Sequence, residues 1–338
     1  MSEPTPPEIT WQDAATWPIG GRGWADADTY ARFPEPARER VPEAVWNLSR
    51  HCAGLSLHGR LSSAESLQLR WRLTSPELAM NHMAATGQSG LDIYLRRAGG
   101  DWFYHGTARP TAQDSEATIG LPGPGPHEFL LYLPLYNGLE SLSFGLPAGA
   151  SIEQLPPLGA PKRPVAVYGT SITQGGCASR TGMLYTSIIQ RRLERDFVNL
   201  GFSGSARMEQ GVTEQMAELD PALFVLDFTR NTGGLEDDVY NERLRYLLTS
   251  LRNAHPEMPI LAVCDFHINP AVRPTKSTRR LAAIVEEFQV HDPLLHYYGD
   301  DSALGDDGEG TVDGTHPTDL GFLRIADALT PTIAALLD

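Results

Sequence analysis

The sequence predicts an α/β protein in two units: an antiparallel β-sandwich, then a parallel sheet with helices on both faces. Three observations carry that prediction. In the first half, apolar and polar residues alternate with period two. Beyond about residue 160, short continuous apolar runs alternate with helical patterns. Between the two lies "LPPLGAPKRP", residues 155 to 164, a proline-rich seam of the kind that separates domains. The 338 residues divide into an N-terminal extension (1–40), a sandwich unit (41–157) and an α/β unit (158–338).

In the first unit "ESLQLRWRL" places Leu67, Leu69, Trp71 and Leu73 on one face and Gln68, Arg70 and Arg72 on the other, a half-buried strand. "LDIYLRR", "HEFLLYLPLYN" and "ESLSFGL" repeat the pattern, with breakers such as "GLPGPGPHE" (120–128) between them. No amphipathic helix is expected between residues 45 and 150. Short strands at this spacing read as a sandwich of the jelly-roll kind. Trp46, Trp71, Trp102 and Phe103 exceed the needs of one small sandwich core. They imply a packed interface with the second unit or with a second subunit, as in a homo-oligomer.

In the second unit "PVAVYG", "FVNLGF", "ALFVLDF" and "PILAVCDF" are short, apolar and rich in β-branched or aromatic residues, as strands buried on both faces should be. Met208, Val212, Met216 and Leu219 fall on one helix face, as do Phe322, Ile325, Leu329 and Ile333. Strand and helix in alternation imply a parallel sheet, whose ligand sites lie beyond the carboxyl ends of the strands.

Composition narrows the function. A net charge of -15 argues against a nucleic-acid or anionic-membrane partner and suits a neutral or polar small molecule. No continuous apolar run reaches the ~18 residues of a membrane span. "MSEPTPPEITWQD" has neither the basic nor the apolar region of a signal peptide. Cys52, Cys177 and Cys264 form no CxxC pair and no metal-ligand spacing, which fits a reducing cytoplasm.

The unusual polar residues gather at strand ends. Ser171 follows Gly169 at the end of "VAVYG"; a tight turn explains it, and so does a nucleophile. Gly204 in "NLGFSGSA" lacks a Cβ, so its N–H can approach a ligand closely. Asn231 in "LDFTRNTGG" suits an Asx-turn or cap and equally a side-chain donor to an oxyanion. Asp313 and His316 in "VDGTHPTDLGF" stand three apart before a helix. That spacing suits a cap, and it also lets a carboxylate hold one imidazole nitrogen while the other faces a serine.

Taken in order, these blocks resemble the SGNH (GDSL-type) hydrolases, over residues 163 to 338. "YGTSITQGG", "GFSGSA", "FTRN" and "DGTHP" match the family's first, second, third and fifth blocks. The resemblance implies a flavodoxin-like three-layer α/β/α domain. It implies Ser171 as nucleophile with Asp313 and His316 completing the triad, and an oxyanion hole of the Ser171 and Gly204 N–H groups and the Asn231 amide. "GTSITQGGCASR" (169–180) resembles a subgroup with a β-rich domain in front carrying a Gly-x-Asp-Leu-Tyr-like signature, here "SGLDIYLR" (89–96). Two departures stand out: Thr170 replaces the Asp of the GDSL motif, and "TRN" replaces Gly-x-Asn-Asp.

The implied activity is a serine esterase without a cofactor, acting on a small acyl ester such as acetyl on a carbohydrate. Acyl transfer through the same acyl-enzyme, or a carbohydrate-binding protein with a vestigial hydrolase domain, are the alternatives. Cys177 is a rival nucleophile or, more simply, a small buried residue. Asp265 and His267 read as a loop near the cleft. The acidic "GDDSALGDDGEG" (299–310) lacks EF-hand spacing and reads as a solvated loop. Arg180, Arg207 and Arg230 suit contact with a carboxylate or sugar hydroxyls and equally the capping of loops.

Overall fold

A computed structural model describes residues 8–338; residues 1–7 of the expected extension lie outside them. The first unit contains β1 (Ile9–Asp13), β2 (Ile19–Gly20), β3 (Ser56–Ser62), β4 (Ser66–Leu73), β5 (Leu91–Arg96), β6 (Trp102–Ala108), β7 (Asp114–Gly120), β8 (His127–Tyr132), β9 (Leu139–Pro147) and β10 (Ser151–Gln154). They form two antiparallel sheets, ordered β1-β9-β4-β7 and β10-β3-β8-β5-β6, with β2 beside β3. The expected alternation in β4 holds: Leu67, Leu69, Trp71 and Leu73 are buried. They share one core with Leu57, Ile93, Phe129 and Leu131 of the other sheet. Two short helices, α1 (Glu43–Ser49) and α2 (Ala85–Gln88), lie where no helix was expected. Each is too short for a periodic apolar stripe to declare it.

The second unit is a parallel sheet of β11 (Val165–Gly169), β12 (Phe197–Gly201), β13 (Leu223–Asp227), β14 (Ile260–Val263) and β15 (Leu295–Tyr298), in the order β12-β11-β13-β14-β15. Helices α3 (Ser171–Gln174), α4 (Tyr185–Leu193), α5 (Gln210–Ala217), α6 (Asp237–Ala254), α7 (Lys276–Gln289) and α8 (Asp319–Leu337) connect and cover it. Two apolar clusters, one on each face, make a three-layer α/β/α arrangement. After β12 the chain crosses back over β11 to lay down β13. The loops after these strands therefore diverge, opening a crevice at the carboxyl end of β11.

Local differences from the sequence reading have physical reasons. Helix α5 is shorter than the apolar spacing suggests: Met208 lies before it with φ +56, Leu219 after it, and all four apolar residues are still buried. The edge strand β15, "LHYY", was not expected; it is only half-buried and carries no continuous apolar run. Helix α8 has the length and the mean hydropathy, 1.5, to cross a membrane, although charged residues interrupt its sequence. Its Phe322, Ile325, Leu329 and Ile333 are buried against the sheet, and it packs on α4.

The two units share a core. Trp24, Phe33, Val41, Val45 and Trp46 pack with Tyr168, Leu200, Phe202 and Met216 of the α/β unit. Trp46 thus serves the second unit, not the sandwich. Each such side chain contributes about 1.5–3 kcal/mol by leaving water. Arg32 lies fully buried within this arm. It donates to the carbonyls of Leu48 (2.6 Å), His51 (3.0 Å), Asn199 (3.2 Å) and Gly201 (2.7 Å). Burial pulls its pKa down to about 10, which leaves it charged near neutrality. Two of these acceptors belong to β12, so one guanidinium ties the arm to the strand that leads to Gly204.

Arg32→Met should therefore remove four hydrogen bonds to carbonyls and cost on the order of 3 kcal/mol. Urea unfolding would read it as a lower midpoint at unchanged slope. A loss below about 1 kcal/mol would show that water or a rearranged arm replaces the guanidinium.

Candidate active site

The sheet's switch point assembles the residues that the sequence left scattered. β11 ends at Gly169, where an added Cβ would lie 1.9 Å from Thr173 Oγ1 and 2.8 Å from the Asp227 carbonyl oxygen. Only a residue without a Cβ lets α3 and β13 approach so closely there. Thr170 then caps α3, its hydroxyl accepting from the Ile172 N–H at 3.2 Å. The residue that replaces the GDSL aspartate thus keeps a capping oxygen. Ser171 opens the helix, where backbone N–H groups have no intrahelical partner. The helix closes on Gly175 at φ +105.

His316 stands over Ser171, with Nε2 3.0 Å from Oγ. Its Nδ1 lies 2.7 Å from Asp313 Oδ2. Asp313 Oδ1 accepts from the backbone N–H groups of His316 (2.8 Å) and Thr315 (3.0 Å). The short spacing thus makes both a local turn and a carboxylate–imidazole pair. Partial burial opposes the Asp313 charge, but the His316 ring and these two N–H groups prevail and hold its carboxyl at about 2. A carboxylate that stays charged favours the Nδ1–H tautomer and leaves Nε2 able to accept a proton from Ser171.

Gly204 and Asn231 lie on the loops after β12 and β13. Gly204 has φ +68, and nothing lies within 4 Å of where its Cβ would be. Glycine is needed there for its backbone conformation; protein crowding does not require it. Asn231 sits in a 3₁₀ turn, Thr229–Thr232. Its Oδ1 accepts from the Ala206 N–H at 3.2 Å, joining the third loop to the second. Because the partner is a donor, the amide oxygen must face it; Nδ2 makes no hydrogen bond among the described residues. The unusual neighbours in "TRN" serve the same turn. Thr232 Oγ1 donates to the Thr229 carbonyl at 2.8 Å, and Arg230 pairs with Asp265 at 2.8 Å.

The other residues singled out by sequence fall into place. Cys177 is buried beside the site, and burial followed by the Asp313 charge pushes its thiol up to about 11. It therefore remains protonated near neutrality, unlike an activated cysteine nucleophile. His267 Nδ1 accepts from the Asn269 N–H, which shapes a loop. The acidic 299–310 loop is tied to arginines, Asp306 to Arg273 and Asp307 to Arg324. Arg207 is exposed, and its carbonyl accepts from Arg243.

Arg180 reaches into the sandwich. Its Nη1 donates to Asp92 Oδ2 at 2.9 Å and to Tyr94 Oη at 2.6 Å. Asp92 also accepts from the Gly182 N–H at 2.9 Å. The Asp and Tyr of the "GLDIY" signature thus latch the loop that follows α3. Sequence reasoning missed Gln174 and Asp227. The buried Gln174 donates to the Leu135 carbonyl, stands 3.2 Å from His51 Nδ1, and accepts from the Ser203 N–H next to Gly204. Asp227 accepts from Thr173 (2.8 Å) and Tyr185 (2.9 Å) beneath α3. A polar Gln inside a buried four-residue turn was the available signal.

The structure is a parallel α/β sheet with a β-sandwich joined to it, and its switch point links Ser171, His316 and Asp313 in one hydrogen-bonded chain. The chain belongs to the GDSL-like Lipase/Acylhydrolase family, whose model matches residues 162–334. Residues 9–152 match the GxDLY model, described as the N-terminus of SGNH-type esterases. A Bacteroides ovatus ATCC 8483 protein described as a GDSL-like lipase is 31% identical, with 98% of each chain covered and a TM-score of 0.88. The salicylyl-acyltransferase SsfX3 from a tetracycline biosynthetic pathway is 20% identical, with 99% of this chain and 96% of that one covered and a TM-score of 0.73. A family two carbohydrate esterase from Cellvibrio japonicus is 15% identical, with 98% of each chain covered and a TM-score of 0.62. At these last two identities the likeness is one of fold. No curated protein matches the chain.

Asp227 supplies a test of the ground beneath Ser171. Burial raises its carboxyl to about 7; the Thr173 and Tyr185 hydroxyls pull it down, Asp265 pushes it up and Arg230 pulls it down. The folded value lies above the unfolded one, so its contribution to stability is full below about pH 4 and is lost as pH rises toward 7. The loss is on the order of 4 kcal/mol. Asp227→Asn should be more stable than the parent at pH 8 and lose that advantage at pH 4.5, read by urea midpoints. An equal difference at both pH values would contradict the assignment.

Proposed function

We propose that this protein is a serine esterase that removes a small acyl group, acetyl, from a carbohydrate. The observation that carries the reading is the hydrogen-bonded chain from Asp313 through His316 to Ser171. Ser171 Oγ attacks the ester carbonyl carbon while His316 Nε2 takes its proton. The oxyanion is held by the N–H groups of Ser171 and Gly204 and by Asn231 Nδ2. His316 gives the proton to the departing alcohol, leaving an acetyl-serine. Water, deprotonated by His316, attacks that ester; acetate leaves, and Ser171 recovers its proton. Asp313 keeps the imidazole oriented and stabilises its charged form. Carbohydrate esterases among proteins of this fold support the choice of alcohol. Transfer of the acyl group to a second alcohol is the next reading, supported by the acyltransferase of the same fold.

Three groups that act as one unit give non-additive losses. Ser171→Ala and His316→Ala should each remove nearly all turnover of an aryl acetate, and the double variant should lose little more. Additive losses would refute the coupled role. A serine-directed phosphonate should label Ser171 alone.

Asn231→Ala should lower kcat by about 10²–10³ and change KM less, as expected when one oxyanion donor is lost. An effect confined to KM would show that Asn231 only binds substrate or ties the two loops.

The substrate is tested with p-nitrophenyl esters of rising acyl length, then acetylated saccharides, with and without an acceptor alcohol. Release of acetate from the saccharide supports the proposal. Acyl product on the acceptor in place of acetate would favour transfer, and saccharide binding without turnover would favour the vestigial reading.

A further inference from the structure

One cluster of metal-ligating side chains joins His316 to two residues that have no role in the reaction above. His82 comes from the sandwich, on the exposed loop between β4 and α2. Its ring lies 5.6 Å from that of His316, at 70°. Cys177 comes from the loop after α3, buried, with the left-handed φ of +72 that a side chain rarely adopts. One ligand atom each from His82, Cys177 and His316 lies within 4.8 Å of the other two. A tetrahedral zinc with bonds of about 2.0–2.3 Å needs ligands roughly 3.3–3.8 Å apart. Closing by about 1 Å is a modest movement for a histidine on an exposed loop.

We propose that His82, Cys177 and His316 form a site for a soft divalent ion such as zinc, and that its occupation stops turnover. Two imidazole nitrogens and a sulfur select zinc-like ions over magnesium or calcium. Asp313 holds His316 Nδ1, so Nε2 is the nitrogen left for the ion. A carboxylate on the far side of a ligating imidazole is the usual support of a metal-bound histidine. The pair that prepares His316 to act as a base also prepares it to be a ligand. On binding, the Cys177 thiol loses its proton to solvent as the sulfur–metal bond forms. The His82 and His316 lone pairs complete a three-ligand set, with a water in the fourth position. With Nε2 coordinated, Ser171 has no acceptor for its proton. The site spans both units, so it exists only when they are assembled.

The inhibition rests on His316 being the base, as proposed above; the binding does not. The full chain would be titrated with zinc during aryl-acetate turnover, and separately with cobalt while its absorption is followed. Saturable inhibition reversed by a chelator is expected, together with a thiolate-to-cobalt charge-transfer band. Cys52 and Cys264 are fully buried, so the band reports Cys177. His82→Ala and Cys177→Ala should keep turnover and raise the zinc midpoint about tenfold or more, and Cys177→Ala should lose the band. His82 is exposed, so its variant is informative even if the Cys177 variant fails to fold. Absence of the band in the parent, or an unchanged midpoint in the His82 variant, would overturn the site. A band without inhibition would overturn the control of turnover and leave His316 as the reading to re-examine.

Discussion

Gln174 is the point on which the two halves of the chain meet the active site. Its amide is buried at the end of the four-residue helix that Ser171 begins. One end engages Leu135 and His51 from the first half; the other accepts from Ser203, one residue from Gly204. A buried amide is costly unless its groups are paired, and here the partners come from three separated segments. Burial first, and then the Arg32 charge, lower the His51 pKa to about 4, so its ring stays neutral and Nδ1 can accept. Helix α3, the Gly204 loop and the N-terminal arm must therefore take up position together.

Arg32 extends the same constraint. It binds carbonyls of the arm and of β12, so the strand leading to Gly204 cannot shift without disturbing the arm. On the opposite side Asp92 and Tyr94 hold Arg180, and Ser179 donates to Asp319 at 2.9 Å, at the start of the helix behind His316. Strand β5 is buried on both faces because one face meets the sandwich core and the other meets this loop. An aspartate in a buried strand is explained by the arginine and the backbone N–H that it binds.

The legible parts of the fold were those written locally. Four strands of the parallel sheet show as continuous apolar runs, because a sheet covered on both faces demands them. β15 was illegible because an edge strand tolerates His296 and half-exposed tyrosines. Asp313 and His316 could be read as a pair because a three-residue spacing makes the contact within one turn. Ser171, Gly204 and Asn231 could be read as types at strand ends, but the Asn231–Ala206 contact could not. The particular partners of the arm from Trp24 to Trp46 were not legible for the same reason: they lie more than 100 residues away, and periodicity records only neighbours.

The covering of the parallel sheet by the first unit bears on what the cleft can admit. A bare switch-point crevice would be open to water and to any ester that reached Ser171. Here Tyr136 reaches Ser171 with its hydroxyl on the backbone carbonyl at 3.2 Å, and Met80 and Met83 pack in the cluster that holds Ile172, the residue after Ser171. All three come from the first unit. A Cβ at Gly176 would lie 3.0 Å from the Tyr136 hydroxyl and 3.1 Å from the His316 ring, so even one methyl group would crowd that corner. Selection of the acyl group and selection of the alcohol can thus reside on different units. Under the proposed reaction the parallel sheet would supply the reacting atoms, and the sandwich loops part of the wall that a substrate meets first. Such a division lets substrate preference change through the sandwich loops while the order Ser171, Gly204, Asn231, Asp313, His316 stays fixed by the sheet.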